Sequence, residues 1–271
     1  MKQRFLPMGI MLLATCVSCI ASAQTKLSVQ PVVDGAIDLP QLTLSYSDGV
    51  RLYQALHDSM SQLDLTLSEL KKNNTSLSDL VPQAIFWQGA ALYDTTKTEA
   101  LISTQQSAIA SLSSLATDPS TQESIAALSD YLNQPIVGER QFIPLDYDTV
   151  RINAKLNPML NGQFTLVLPT RPLTVTVVGA VEQMQKVAFK ARASASEYIE
   201  IAKANHFADN SFAYVVQPDG VVQRHATAYW NDNHQDIAPG AIIFVGFTGV
   251  FSEYQDLNDK ILMLLKNRVQ G

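Results

Sequence analysis

Arg140 is the side chain best placed by type and context to do chemistry. It stands where a helical stretch gives way to a β-rich one, close to the apolar Phe142 and Ile143. A guanidinium is planar, permanently charged and rich in donors. At such a junction it can hold a carboxylate or phosphate on a sugar, an acid on a partner protein, or an internal acid that stitches two subdomains together. Trp87 and Tyr93, from the same region of the chain, carry rings able to stack on a sugar. The same two aromatics also suit a core position. These three residues form the candidate binding set.

Acids and histidines offer less. Asp146-Tyr147-Asp148 has the D-x-D look of a metal–nucleotide site, but it directly precedes an expected strand, Val150-Arg151-Ile152. Aspartate at such a position commonly bonds the local backbone. The run Asn231-Asp232-Asn233-His234-Gln235-Asp236 has oxygen and imidazole groups yet only two acids and no central glycine, which is thin for a hard cation. His57, His206 and His225 stand singly. No G-x-S-x-G, H-E-x-x-H, phosphate loop or dinucleotide fingerprint occurs. The sequence therefore predicts no metal, no cofactor and no catalytic residue. The competing reading is a sugar-modifying enzyme working near Arg140 with Asp146 and Asp148 as its acid and base, which needs two carboxyls facing one cleft.

Charge removes a further class. Nineteen Lys and Arg against 25 Asp and Glu in 271 residues give a net charge of −6, and no basic run is present, so nucleic acid is excluded as a partner. Lys2 and Arg4 precede an apolar run from Phe5 to Ile20, and Ala21-Ser22-Ala23 follows, which is the pattern of a secretory signal peptide over residues 1–23. The run is shorter than the roughly 20 residues that span a bilayer. Cleavage after Ala23 leaves 17 bases against 25 acids, a net of −8, and removes Cys16 and Cys19, the only thiols. Lipid attachment at Cys19 is the alternative. A mature amino terminus at Gln24 excludes it.

The elements that must position these groups follow from periodicity. Leu27-Ser28-Val29 and Leu42 to Tyr46 alternate as a hairpin, and Leu52, Leu56 and Met60 recur at helical spacing. Phe86 to Tyr93 reads as extended. Ala100, Leu101, Ala108, Leu112 and Leu115 mark one helix, and Ile125, Leu128 and Leu132 mark a second, entered through Asp118-Pro119 and a capping box from Ser120 to Glu123. Strands are expected over 142–145, 150–152, 164–168 and 173–178. A helix over 193–202, two strands around Pro218-Asp219-Gly220 and a buried strand over 241–247 complete the series. The order hairpin, helix, strands thus occurs twice. The fold class is α+β: two β-grasp domains over 24–171 and 172–250, the first with a helical insertion at about 94–135, then an amphipathic helix over 251–271. That last helix puts Tyr254, Leu257, Ile261, Leu264 and Leu265 on one face, which needs a cover: the protein's own sheet, another protein or the membrane interface.

Specific residues in that order carry a resemblance. Thr176 to Val181, the turn at Asp219-Gly220, and Ala238-Pro239-Gly240 to Ile243 resemble an SLBB-type β-grasp domain of polysaccharide export proteins. With Trp87-Gln88-Gly89-Ala90, Leu145-Asp146, Val150-Arg151, Arg171-Pro172, Tyr229-Trp230-Asn231 and Asp256-Leu257-Asn258, nearly the whole mature chain resembles the GfcC family of capsule biosynthesis proteins. It departs at Gln88, where the family commonly has proline, and in a longer stretch from Arg51 to Leu80. The resemblance implies a periplasmic, non-enzymatic accessory protein of capsule or exopolysaccharide assembly, with a polysaccharide or polysaccharide export proteins as partner.

Overall fold

The computed structural model describes residues 24–32, 41–73, 85–116, 120–228, 230, 234–249 and 254–269. The expected leader, Cys19, Asp118-Pro119 and Asn231 to Asn233 lie outside them. The first sheet contains β1 (Thr25–Val32), β2 (Leu42–Tyr46), β4 (Ala91–Asp94), β5 (Glu139–Gln141) and β7 (Gln163–Pro169), in the spatial order β2-β1-β7-β4-β5. The hairpin pairs Leu27 with Leu44, and β7 runs parallel to β1. A small separate ribbon joins β3 (Val50–Arg51) to β6 (Met159–Leu160).

The second sheet contains β8 (Thr174–Gly179), β9 (Gln185–Ala188), β10 (Phe212–Val216), β11 (Val222–Ala226) and β12 (Ile242–Val245), in the order β11-β10-β12-β8-β9. Within each sheet the first and last strands in sequence are parallel neighbours at the centre, flanked by a hairpin partner on one side and two antiparallel strands on the other. The two open, mixed sheets therefore share one relative strand order. Gly179 ends β8 at φ +105°, and a Cβ there would collide with the Val245 carbonyl of β12.

Both sheets are covered on both faces, because every residue of β12 and every residue of β7 from Phe164 to Leu168 is buried while strand side chains alternate in direction. Helix α1 (Leu52–Asn73) places Leu52, Ala55, Leu56 and Leu63 against Leu27, Val29, Leu92 and Leu166 of the first sheet. Helix α5 (Ala195–Ala202) packs on β8 and β9 and begins with a complete capping box between Ser194 and Glu197.

The inserted helices α2 (Glu99–Leu115) and α3 (Gln122–Leu132) belong in sequence to the first sheet, yet they share a core with the second. Ala108, Leu112, Leu115, Ile125, Leu128 and Leu132 are buried in one cluster with Val175, Val215, Ile243 and Phe244. Helix α6 (Gln255–Lys266) lies in that cluster too, burying Leu257, Ile261, Leu264 and Leu265 against α2, α3 and β10. Asn258 fixes it by accepting from the Phe247 N–H at 2.9 Å and donating to the Phe247 carbonyl at 2.8 Å. The apolar face is thus filled by the chain itself, and not by a membrane or a partner. Among the described residues no helix is long and apolar enough to cross a membrane.

Local structure corrects several expectations. Val150-Arg151-Ile152 lies in helix α4 (Tyr147–Ile152), since the Asp146 carboxylate accepts from Thr149 N at 2.8 Å and Thr149 Oγ1 at 2.6 Å, and this cap outweighs the β-branched residues that follow. Residues 142–145 are not a strand; β5 ends at Gln141, and Pro144 lacks the N–H a ladder requires. The extended reading of 86–93 holds from Ala91, but Trp87–Gly89 is a 3₁₀ turn. Helix α3 starts after Thr121, whose side chain makes no cap hydrogen bond, one residue later than the box expected at Ser120 and Glu123 would place its start.

Candidate functional site

The site is built at the edge of the first sheet. Tyr93 of β4 lies directly opposite Arg140 of β5. Paired residues of an antiparallel ladder project to the same side, so both side chains leave the face opposite that occupied by α1. There three parts of the chain meet: the β4–β5 edge, the turn between β10 and β11, and the end of α6. Arg140 is only 4% exposed. Its Nη2 donates to the Pro218 carbonyl at 2.7 Å, and its backbone N–H donates to Asn267 Oδ1 at 2.9 Å. Burial lowers the affinity of the guanidinium for its proton, while Tyr93 and Asp219 act in the opposite sense. The group stays charged, because nothing at neutral pH deprotonates an arginine.

Tyr93 is fully buried, and its hydroxyl donates to the Arg268 carbonyl at 3.0 Å. Burial pushes its pKa up to about 12, with Arg140 and Arg268 opposing the rise. A ring with no exposed face has none to offer a sugar in this conformation. Arg268 is itself held by the Tyr131 carbonyl at 2.7 Å and stacks 3.8 Å from the Tyr131 ring centroid. Tyr93 and the residues after α6 thus form the internal support for Arg140.

Trp87 is placed differently. Half-buried in its 3₁₀ turn, it lines a cavity of about 200 Å³ together with Arg140, Ile143, Pro144, Asp146 and Asp219. A wider groove of about 650 Å³, bordered by Lys97, Glu99, Phe142, Met263 and Lys266, also reaches Arg140. Two of the three sequence candidates, Trp87 and Arg140, therefore meet at one opening, and Tyr93 lies beneath it. Asp219 and Asn267 were not singled out from the sequence. The turn that carries Asp219 meets Arg140 through Pro218, 78 residues away, and Asn267 lies 127 residues away, and no local pattern encodes such a meeting. Gly220, between them, has φ +85°, and a Cβ there would stand 2.6 Å from the Phe142 ring. This glycine lets the turn seat against Arg140.

The acids do not assemble into a catalytic pair. Asp146 caps α4, and those bonds from Thr149 hold its carboxyl below the usual carboxylate range, the wrong direction for a general acid. Asp148, 79% exposed in its side chain, pairs with Arg151 at 3.6 Å and does not line the cavity. His234 lies 3.2 Å from Asp236, but the described residues contain no group of three or more His, Cys, Asp or Glu able to hold a metal ion.

Fold and site together describe an α+β protein of two open mixed sheets joined at a seam, with a cavity of mixed polar and apolar lining beside a buried arginine. Residues 57–171 match the family model described as capsule biosynthesis GfcC, N-terminal, and residues 183–270 match the one described as capsule biosynthesis GfcC C-terminal. The chain belongs to the GfcC family of capsule biosynthesis proteins. It is similar to a protein of Escherichia coli (strain K12) described as "Uncharacterized protein YjbG", with 36% identity over 201 residues that cover 71% of this chain and 82% of the relative.

Proposed function

We propose that this protein is a periplasmic, non-catalytic accessory factor in the assembly or export of a capsular or extracellular polysaccharide, built from two SLBB-like β-grasp units. The repeated strand order, with its parallel central pair, supports the β-grasp reading. The basic, apolar and small-residue pattern of residues 1–23 supports export. The observation that carries the function is the cavity shared by Arg140 and Trp87 at the seam of a GfcC-family chain, a polar-rimmed opening with one aromatic wall. With two carboxylates, one guanidinium and two glutamines around an aromatic wall, such an opening suits a hydroxyl-rich ligand, and the polymer or a component of its export machinery is what this site engages. The enzymatic alternative finds no support in the placement of Asp146 and Asp148.

A strain lacking the gene is expected to lose or mislocalise its surface polysaccharide, with recovery when the full-length gene is returned. Unchanged polymer in amount and cell-surface attachment would overturn the proposal.

A further inference from the structure

Beside the Arg140 cavity the surface carries a group of aromatic side chains with no assigned role. Tyr53 and His57 are one turn apart on α1 and so share a face of that helix. Tyr147, the first residue of α4, completes the group. The Tyr53 and Tyr147 ring centroids are 5.3 Å apart with planes inclined by 27°, and His57 lies 6.4 Å from each at 36° and 34°. The Tyr147 hydroxyl donates to that of Tyr53 at 3.2 Å, which locks the two rings in register. Both tyrosines rest on the first core and are only half-buried, while His57 is exposed.

The fringe of the group is polar. Asp58 accepts from Gln54 Nε2 at 2.7 Å beside His57, and the exposed Asp148–Arg151 pair lies next to Tyr147 in sequence. The group adjoins the cavity at one point: Asp146 lines that opening and Tyr147 follows it in the chain, while the three rings themselves lie outside the cavity wall. Trp87, Tyr147 and Tyr53 all border the same core.

From this arrangement we infer that Tyr53, His57 and Tyr147 are a sugar-stacking platform, a second subsite that extends the Arg140–Trp87 cavity so that several consecutive residues of a glycan are held. The inference rests on the polysaccharide reading of that cavity. The two tyrosine rings overlap in an offset stack and remain half-exposed with His57 beside them; the apolar surface they leave open suits the C–H face of a sugar ring, and the carboxylates and guanidinium around them suit its hydroxyls. A protein partner would need about 800 Å² on each side with an apolar centre, which three rings edged by charges do not supply.

The test measures binding of oligosaccharides released from the producing bacterium's own surface polysaccharide, in a graded series of lengths, with dextran oligosaccharides as a neutral control. Loss of two stacking rings in Tyr53→Ala/Tyr147→Ala is expected to weaken the longer oligosaccharides by about tenfold and to leave the shortest unchanged. Tyr53→Phe/Tyr147→Phe keeps the ring faces and is expected to stay within about threefold of the parent chain. Exposed His57→Ala, which disturbs no core, is expected to weaken the same long oligosaccharides, and it decides the matter where the double alanine variant melts early. Parent and alanine variants binding every length equally would overturn the platform while leaving the polysaccharide reading in place. A parent chain that binds no oligosaccharide overturns both and directs attention to a protein partner.

Discussion

Among the described residues Arg140 makes no ion pair with a carboxylate, though the Asp219 charge favours its protonated form. Its partners are a carbonyl from the second sheet's turn and, through its backbone, an amide from the end of α6. The sequence left open whether it meets a ligand or ties subdomains together; the geometry ties it to the seam through Pro218, and its place in the cavity wall beside Trp87 is where the proposed ligand contact would be made. Arg140→Ala leaves the Pro218 carbonyl with one donor fewer in a buried site, so a stability loss of about 1–3 kcal/mol is expected. Chemical denaturation, read as a shift in midpoint at constant slope, checks this. A variant as stable as the parent would mean that the seam does not depend on this bond. Tyr93 adds a pH signature. Its folded pKa of about 12 lies above the ordinary value of 10, so the native state keeps the proton longer than the unfolded chain. The associated stability, about 2–3 kcal/mol, is fully present below pH 10 and disappears as pH rises through 12. Tyr93→Phe is expected to flatten the alkaline fall in melting temperature between those values, and an unaltered fall would assign it to other groups.

Helices α2 and α3 make the two halves interdependent. Inserted between β4 and β5 of the first sheet, they bury six apolar residues in the core of the second. At about 1.5 kcal/mol or more for each large side chain, that burial rivals the whole stability of an ordinary domain. A fragment beginning at Pro172 therefore keeps its five strands, α5 and α6 but lacks a wall of its core. It is expected to be loosely packed or aggregated, with no sharp thermal transition, where the full chain melts cooperatively. A fragment with a sharp transition and native-like near-ultraviolet dichroism would show that the insertion is dispensable to the second sheet. Helix α6 contributes from the other side, since its buried stripe and Asn258 fasten it to the same core.

For the molecule as a whole, the proposed function places its main site at the seam. The cavity, the wider groove and the aromatic platform all border residues that the first sheet and its connections present, and Arg140 touches the turn of the second sheet. Because that site draws on both halves, neither half supplied alone is expected to restore the surface polysaccharide of the deletion strain, whereas the full chain is. Recovery by one half would place the active surface within that half.

Periodicity was enough to predict the hairpin, α1, α2, the central strands and the amphipathic character of α6, because burial on one face leaves a repeat of two or of about 3.6 residues in the chain. The acidic balance is a property of composition and was equally plain. Val150 to Ile152 were misread because β-branched residues mark strands only when no cap competes, and Asp146 provides one. The short ribbon of β3 and β6 and the polar edge strand β9 leave too little repeat to detect. Tertiary structure alone decided that α2 and α3 cover the second sheet, that α6 spends its apolar face internally, and that Tyr93 is sealed while Trp87 remains at an opening. Each of these depends on surfaces far apart in sequence closing over one another, and the free energy of that closure is a property of the fitted pair that neither segment carries by itself.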